Sequence, residues 1–336
     1  MSILRKFLFP FALLYGLIIT IRNLLYDMRI IKSTAYSFPV ICVGNLSVGG
    51  TGKTPMIEFL LEFLLPNNKV ATLSRGYGRK TQGYRLVTIE EKAANVGDEP
   101  LQFKNKFKSA IVAVDENRRI GIAKLENEHH PDLILLDDAF QHRKVKAGLN
   151  ILLTRYNDLY KNDFMLPAGN LREPISGAGR AKIIVVTKCP KNLNVIEQEN
   201  IRSTLNLRNY QQLFFSYISY NDHVFNGLKK ISLQELVGKE ISLVTGIANP
   251  VSLLEYLKDS GISFQHLNFP DHHNFTSVEI KKIAQSKLVI TTEKDFMRLK
   301  GEVELEKLFY LPIKMKFVRD TEEFNKRISN FVLNEK

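Results

Sequence analysis

Val43-Gly44-Asn45-Leu46-Ser47-Val48-Gly49-Gly50-Thr51-Gly52-Lys53-Thr54-Pro55 decides the fold. The apolar run Pro39–Val43 precedes it, and an amphipathic segment, Pro55–Leu65, follows. Strand, glycine-rich turn and a helix opening on Gly-Lys-Thr are the parts of a phosphate-binding P-loop, G-x-x-x-x-G-K-[ST]. Ser47 stands at the first glycine position, while Gly52, Lys53 and Thr54 match. In such a turn the backbone N–H groups from Ser47 through Val48, Gly49, Gly50, Thr51 and Gly52 face phosphate oxygens, aided by the positive end of the helix. Lys53 is expected to reach the β- and γ-phosphates and Thr54 to ligate Mg²⁺. Pro55 suits a first helical turn, where its missing N–H is not needed.

A second strand, Leu133-Ile-Leu-Leu, ends on Asp137-Asp138. In P-loop enzymes a strand-end Asp holds the Mg²⁺ shell, so both carboxylates are candidate metal groups. Two nucleotide-binding classes lose support from single residues. Membrane-associated partitioning ATPases carry Lys where this chain has Val48. GTPases read guanine with an Asp after [NT]K, and here Thr187-Lys188-Cys189 is followed by Pro190, which cannot accept those hydrogen bonds. The expected nucleotide is ATP.

Around these motifs, short runs rich in Val, Ile and Leu alternate with amphipathic segments. Expected strands are 39–43, 70–73, 110–114, 133–136, 151–153 and 183–186; expected helices are 55–65, 99–107 and 117–126. Uninterrupted apolar strands are buried on both faces of a parallel sheet. The expected fold is α/β: a P-loop NTPase-like, mostly parallel sheet with flanking helices. After Cys189-Pro190 the texture turns polar, then resumes with strands at 213–220, 242–245, 263–269 and 288–291. This predicts a smaller C-terminal α/β domain and three units: 1–30, 31–195 and 196–336. Leu308–Val318 reads as one further strand, able to pair with Leu213–Tyr220.

The chain has 336 residues, 44% hydrophobic and 24% charged, which excludes a largely disordered chain. Lys+Arg 47 against Asp+Glu 35 gives +12, which favours anionic partners without choosing among nucleic acid, phosphorylated small molecules and membranes. Two isolated cysteines, Cys42 and Cys189, make no disulfide framework and fit a reducing compartment.

Phe7–Ile21 is uncharged, shorter than the roughly 20 residues of a bilayer span. Residues 1–32 carry Arg5, Lys6, Arg22, Arg29 and Lys32 against Asp27. An apolar helix with basic flanks fits one lying in the membrane interface. A single span and a helix buried against the protein are the other readings.

The motifs together resemble the tetraacyldisaccharide 4′-kinase family, the lipid A 4′-kinases of Gram-negative bacteria. The matching pieces are VGNLSVGGTGKTP (43–55), SRGYGR (74–79), GDEP (97–100), LLDDAFQHR (135–143), LPAGNLREP (166–174), TGIANP (245–250), FPDHHNF (269–275) and TEKDFMRL (292–299). Ser47 for the first P-loop glycine is the family's own form. The resemblance implies transfer of the ATP γ-phosphoryl group to the 4′-hydroxyl of a tetraacylated glucosamine disaccharide 1-phosphate, giving lipid IVA. It also implies a peripheral enzyme on the cytoplasmic face of the inner membrane, held by its N-terminal helix, with no nucleic acid and no protein partner. A membrane-docked nucleotide switch and a nucleic-acid-binding ATPase are the alternatives; no nucleic-acid module supports the second.

By residue type alone, Asp98 after Gly97 also reads as a helix cap, and His272-His273 as a polar loop. The resemblance makes Asp98 the base and His272 its partner, so that a His–carboxylate pair handles the sugar hydroxyl proton. Arg75, Arg79, Arg119, His142 and Arg172 fall in or beside loops at the carboxyl ends of the expected parallel strands, where ligands bind, and are candidate substrate-binding residues together with Asn170 and Glu173 of the LPAGNLREP match. Arg suits phosphate because its planar fork binds two oxygens, but each arginine is equally readable as a solvated charge. Lys104, Lys106 and Lys108 read as a solvated helix face.

Overall fold

The computed structural model of the chain describes Arg5 and residues 7–335; the expected basic flank at Lys6 lies outside the described residues. In chain order the strands are β1 (Val40–Asn45), β2 (Val70–Ser74), β3 (Arg85–Leu86), β4 (Ile111–Val114), β5 (Leu133–Asp137), β6 (Leu149–Arg155), β7 (Ile183–Thr187), β8 (Gln212–Tyr220), β9 (His223–Phe225), β10 (Lys230–Ser232), β11 (Ser242–Thr245), β12 (Gln265–Asn268), β13 (Val289–Thr291), β14 (Leu308–Tyr310) and β15 (Ile313–Phe317). The helices are α1 (Phe9–Asp27), α2 (Lys53–Leu64), α3 (Ala93–Val96), α4 (Asp98–Lys106), α5 (Arg118–His129), α6 (Val195–Leu205), α7 (Val251–Asp259), α8 (Ser277–Ala284), α9 (Glu293–Leu299) and α10 (Thr321–Asn334).

Among the described residues, one sheet has nine strands in the order β15-β8-β7-β6-β1-β5-β2-β4-β3. Its interior is parallel, and only the edge strands β3 and β15 run antiparallel to their neighbours. Every residue of β1, β2, β5 and β7 is buried, as their unbroken apolar runs require. Successive side chains of a strand point to opposite faces, so β1 feeds two cores. Ile41 and Val43 pack with Met56, Ile57, Leu60 and Leu61 of α2 and Phe324 of α10. Val40 and Cys42 pack with Ile122 and Leu125 of α5. Each fully buried aliphatic side chain contributes about 1.5–3 kcal/mol relative to exposure.

The chain crosses from β1 to β2, returns through β4 to β5, then places β6 on the other side of β1. This reversal opens a crevice at the carboxyl ends of β1, β5 and β6, where ligands bind in open α/β sheets. Val43 is in register with Asp137 and with Ile151, so the P-loop and the strand-end carboxylates emerge on one edge.

A second, six-stranded sheet has the order β10-β9-β14-β13-β11-β12, with β11 to β14 parallel. The chain leaves the first sheet after Tyr220 and returns at Ile313, whereas the sequence reading divides the chain near residue 195. The polar stretch read as the change of domain is α6, which packs Ile201 and Leu205 against the first sheet. The expected strand 308–318 is two strands. Pro312 cannot donate to a ladder, so the run breaks there: β14 lies between β9 and β13 in the second sheet and β15 joins β8 in the first.

Helix α1 is long and apolar enough to cross a membrane by length and composition. Phe11, Leu13, Leu14, Leu17, Ile18 and Ile21 are exposed, so the helix is not sequestered in the protein. Its opposite side is docked: the Tyr15 hydroxyl donates to the Arg172 carbonyl at 2.9 Å, and Asn23 Nδ2 donates to Glu173 Oε2 at 3.2 Å. Arg143 pairs with Asp27 at 2.6 Å and donates to the Asn23 carbonyl at 2.7 Å.

The three lysines read as a solvated face are engaged at two positions. Lys104 Nζ donates to the carbonyls of Lys108 and Ala110. Lys106 Nζ lies 2.7 Å from Glu58 and 2.8 Å from Glu293, two buried carboxylates on other helices.

Candidate active site

The loop from Leu46 to Gly52 is braced on three sides. Val48 N–H donates to the Asn170 carbonyl at 2.8 Å and Arg172 N–H to the Leu46 carbonyl at 2.7 Å. Asn45 Nδ2 donates to Thr51 Oγ1 at 2.8 Å, and Thr187 Oγ1 donates to the Thr51 carbonyl at 2.8 Å. Gly49 (φ 99°) and Gly52 (φ 85°) take left-handed conformations that a side chain strains, and Gly52 turns the chain into α2. Lys53 and Thr54 thus occupy the first helical positions, where free N–H groups face the loop. Lys188, used above only to argue against GTP, belongs to this region: its Nζ lies 3.8 Å from where a Cβ on Gly50 would stand. Burial, then Arg155, lowers its pKa.

Asp137 and Asp138 have different environments. Asp137 is buried, and its Oδ1 has no hydrogen-bond partner. Burial, then the neighbouring Asp138 charge, raises its carboxyl to about 7. Asp138 lies 3.7 Å from Lys53 Nζ and accepts from Arg172 at 2.7 and 3.2 Å. Burial alone would raise Asp138, but Lys53, Arg172 and Arg118 together outweigh it and hold the carboxylate low. No cluster of three or more His, Cys, Asp or Glu placed for a metal occurs among the described residues. A nucleotide-bound Mg²⁺ does not require one, since phosphate oxygens and water fill most of its octahedron. The buried, unpartnered Asp137 oxygen and the Thr54 position fit such an ion.

The 166–174 loop brings three candidate residues together. Asn170 contributes its carbonyl to the P-loop, and Arg172 grips Asp138 and also contacts Asn45 Oδ1. Glu173 is completely buried: Arg180 reaches both its oxygens at 2.8 Å, and Gln141 Nε2 donates at 2.8 Å. Glu173 is therefore a hub beneath the loop. Arg75 and Arg119 are exposed. His142 stands near them, its pKa pushed down to about 4 by burial, then by Arg118, Lys144, Arg119 and Arg75. Arg79 is differently placed: it is nearly buried, ion-paired with Glu116 and bound to the Gly83 carbonyl at 2.7 Å. It closes the 75–83 loop on itself.

Asp98 opens α4 but makes no capping hydrogen bond; the cap position is Gly97. Its buried carboxylate instead accepts from Arg298, Nε at 2.9 Å on one oxygen and Nη2 on the other. His272 Nδ1 lies 3.4 Å from Asp98 Oδ2, so the fold brings the expected pair together across the two sheets. Burial would raise the Asp98 pKa, but His272, Arg298 and Lys294 outweigh it and lower it. Lys294 Nζ is 2.7 Å from His272 Nε2 and 3.1 Å from Glu99. His273 turns elsewhere, to Glu279 at 2.9 Å and to the face of Phe269.

Arg298 and Lys294 are site residues that residue-by-residue reading passes over. Their signal was the four-residue spacing in TEKDFMRL, which places both on one face of α9. Electrostatics connect the two halves of the site: Glu99 helps raise Asp137, and Asp271 acts on Lys188 beside the P-loop.

Comparison with known proteins places the whole chain in one family. The profile of the tetraacyldisaccharide-1-P 4′-kinase family matches residues 4–333. A tetraacyldisaccharide 4′-kinase of Flavobacterium johnsoniae is 51% identical, covering 99% of this chain and 98% of its own. One from Bacteroides thetaiotaomicron is 42% identical over 98% of this chain and 93% of its own. Among solved structures, LpxK from Aquifex aeolicus in complex with ATP superimposes with a TM-score of 0.80 at 31% identity, covering 98% of this chain and 100% of that one. With a profile match along nearly its whole length, the chain belongs to the tetraacyldisaccharide-1-P 4′-kinase family.

Proposed function

We propose that this chain transfers the γ-phosphoryl group of ATP to the 4′-hydroxyl of a tetraacylated glucosamine disaccharide 1-phosphate, a step of lipid A assembly that yields lipid IVA. The supporting observation is the meeting of Asp98 and His272 in a chain of this family that also carries the P-loop turn into Lys53-Thr54. The loop 47–52 and the start of α2 hold the phosphates, and Lys53 neutralises charge on the transferring group. Thr54, Asp137 and Asp138 hold Mg²⁺, which when bound shields the β- and γ-phosphate charges. Asp98 and His272 act as one unit that takes the proton of the attacking hydroxyl. Arg298 and Lys294 orient that unit. Arg75, Arg119, His142 and Arg172 face the anionic groups of the acceptor.

The exposed apolar side of α1 lies in the membrane interface and brings the site to a lipid that stays in the bilayer. Use of ATP, a cytoplasmic donor, supports a site on the cytoplasmic face of the inner membrane. The sheet membership described above supports a P-loop unit that includes β15 and α10, with residues 223–310 as the smaller unit.

The test is an incubation with ATP, Mg²⁺ and tetraacyldisaccharide 1-phosphate in mixed micelles, with mass detection of a bis-phosphorylated product. Nucleotide hydrolysis with no phosphorylated lipid would leave the switch reading standing instead.

A further inference from the structure

Outside the catalytic constellation, one charged cluster, a half-buried lysine between two buried glutamates, joins three helices. Lys106, at the end of α4, places Nζ 2.7 Å from Glu58 Oε2 of α2 and 2.8 Å from Glu293 Oε1 of α9. Both glutamates are buried. Gln102, one turn before Lys106, donates to Glu58 Oε1 at 2.7 Å. Glu293 Oε2 accepts from the Ile313 N–H at 3.2 Å, where the chain returns from the second sheet to the first.

Each helix carries part of the proposed chemistry at a fixed offset from this cluster. Helix α2 begins with Lys53, five residues before Glu58; α4 begins with Asp98; α9 carries Lys294 beside Glu293, and Arg298 farther along. A single ammonium group is thus shared between the helix of the phosphate cradle, the helix of Asp98 and the helix that orients Asp98 and His272.

We propose that Lys106 is a positioning residue for phosphoryl transfer: its bridge between Glu58 and Glu293 sets the register of the Asp98–His272 unit against the P-loop. The proposal rests on the kinase reading above. Helices held only by apolar packing can slide by fractions of an ångström, and a misplacement of 1 Å costs roughly 10²-fold in rate. A salt bridge between buried partners fixes one relative arrangement, because every displaced alternative leaves a buried charge unpaired.

Three variants test this. Lys106→Met leaves two carboxylates buried without a cation, so both thermal stability and kcat should fall. Adding Glu58→Gln removes that repulsion and should recover part of the lost melting temperature, with Glu293 still buried without its cation. It does not rebuild the link to Glu293, so kcat should stay about 10- to 100-fold low while KM for ATP remains near wild type. Lys106→Arg, whose fork can still reach two carboxylates, should recover most of kcat. If the folded double variant regains wild-type kcat, Lys106 is only a stability element and the proposal is overturned. Spin labels on Asn67→Cys and Lys281→Cys give a readout independent of activity. Their distance distribution should broaden in the double variant and stay narrow in Lys106→Arg; an unchanged distribution counts against the proposal. A wild-type enzyme that phosphorylates no lipid would instead refute the kinase reading, and the distance measurement would still decide the role of the bridge.

Discussion

Lys294 Nζ stands 2.7 Å from His272 Nε2, with the other ring nitrogen 3.4 Å from the Asp98 carboxylate. Arg298 Nη2 also approaches Nδ1, at 3.1 Å. A neutral imidazole has one acceptor nitrogen, so it can satisfy only one of these two donors. The shorter contact belongs to Lys294, which makes Nε2 the acceptor and turns an Nδ1–H toward Asp98.

Lys294→Met should therefore loosen the tautomer. The ¹⁵N shifts of the His272 ring should move toward a mixture of the two forms, with kcat roughly tenfold lower, at the small end of general-base effects. A single unchanged tautomer in the variant would remove Lys294 from this role.

Lys53→Ala should abolish lipid phosphorylation with little change in melting temperature. Lys53 is partly exposed and meets Asp138 at 3.7 Å, a contact too long to carry much stability. Its charge at the transferring phosphate has no duplicate in the first turn of α2. Near-wild-type kcat in the folded variant would contradict the P-loop assignment.

Asp98→Ala and His272→Ala should each lower kcat by about 10²–10⁴-fold, with ATP affinity little changed. The double variant should be scarcely worse than the worse single one, because groups acting as a unit lose their function together. Losses that multiply would show that the two residues act independently.

The pH profile should respond to Arg298→Met. In the native protein Asp98 titrates below its ordinary value of 3.8, because His272, Arg298 and Lys294 outweigh burial. A depressed carboxylate stabilises the fold above its unfolded pKa, and that contribution fades as pH falls through the lower folded value. Without Arg298, burial gains weight and the pKa rises. The acidic limb of kcat/KM should move to higher pH, and an unmoved limb would mean that another group titrates there.

Replacing Leu14 and Ile18 by Glu places charge on the exposed side of α1, away from Tyr15 and Asn23, which hold the 166–174 loop. Vesicle co-sedimentation should drop sharply and KM for lipid should rise, while ATP binding measured by calorimetry should hold. Unaltered sedimentation would rule out this face as the membrane contact.

Sequence alone determined the phosphate cradle and its sheet. The P-loop, the strand ending in Asp137-Asp138 and the buried parallel strands are local patterns, each set by backbone chemistry within a dozen or so residues. Tertiary structure decided which distant groups meet. Arg298 reaches Asp98 across 200 positions of chain, and Lys106 reaches Glu293 across 187. At the end of a short helix, Lys106 carries no local mark separating a buried bridge from a solvated charge. The partners that distinguish them are supplied by other helices. Pro312 was visible throughout, but that it sends β14 and β15 to different sheets depends on which edges stood open to receive them. Hydrogen bonding and burial act through space, and local sequence reports only the neighbours that the chain itself supplies.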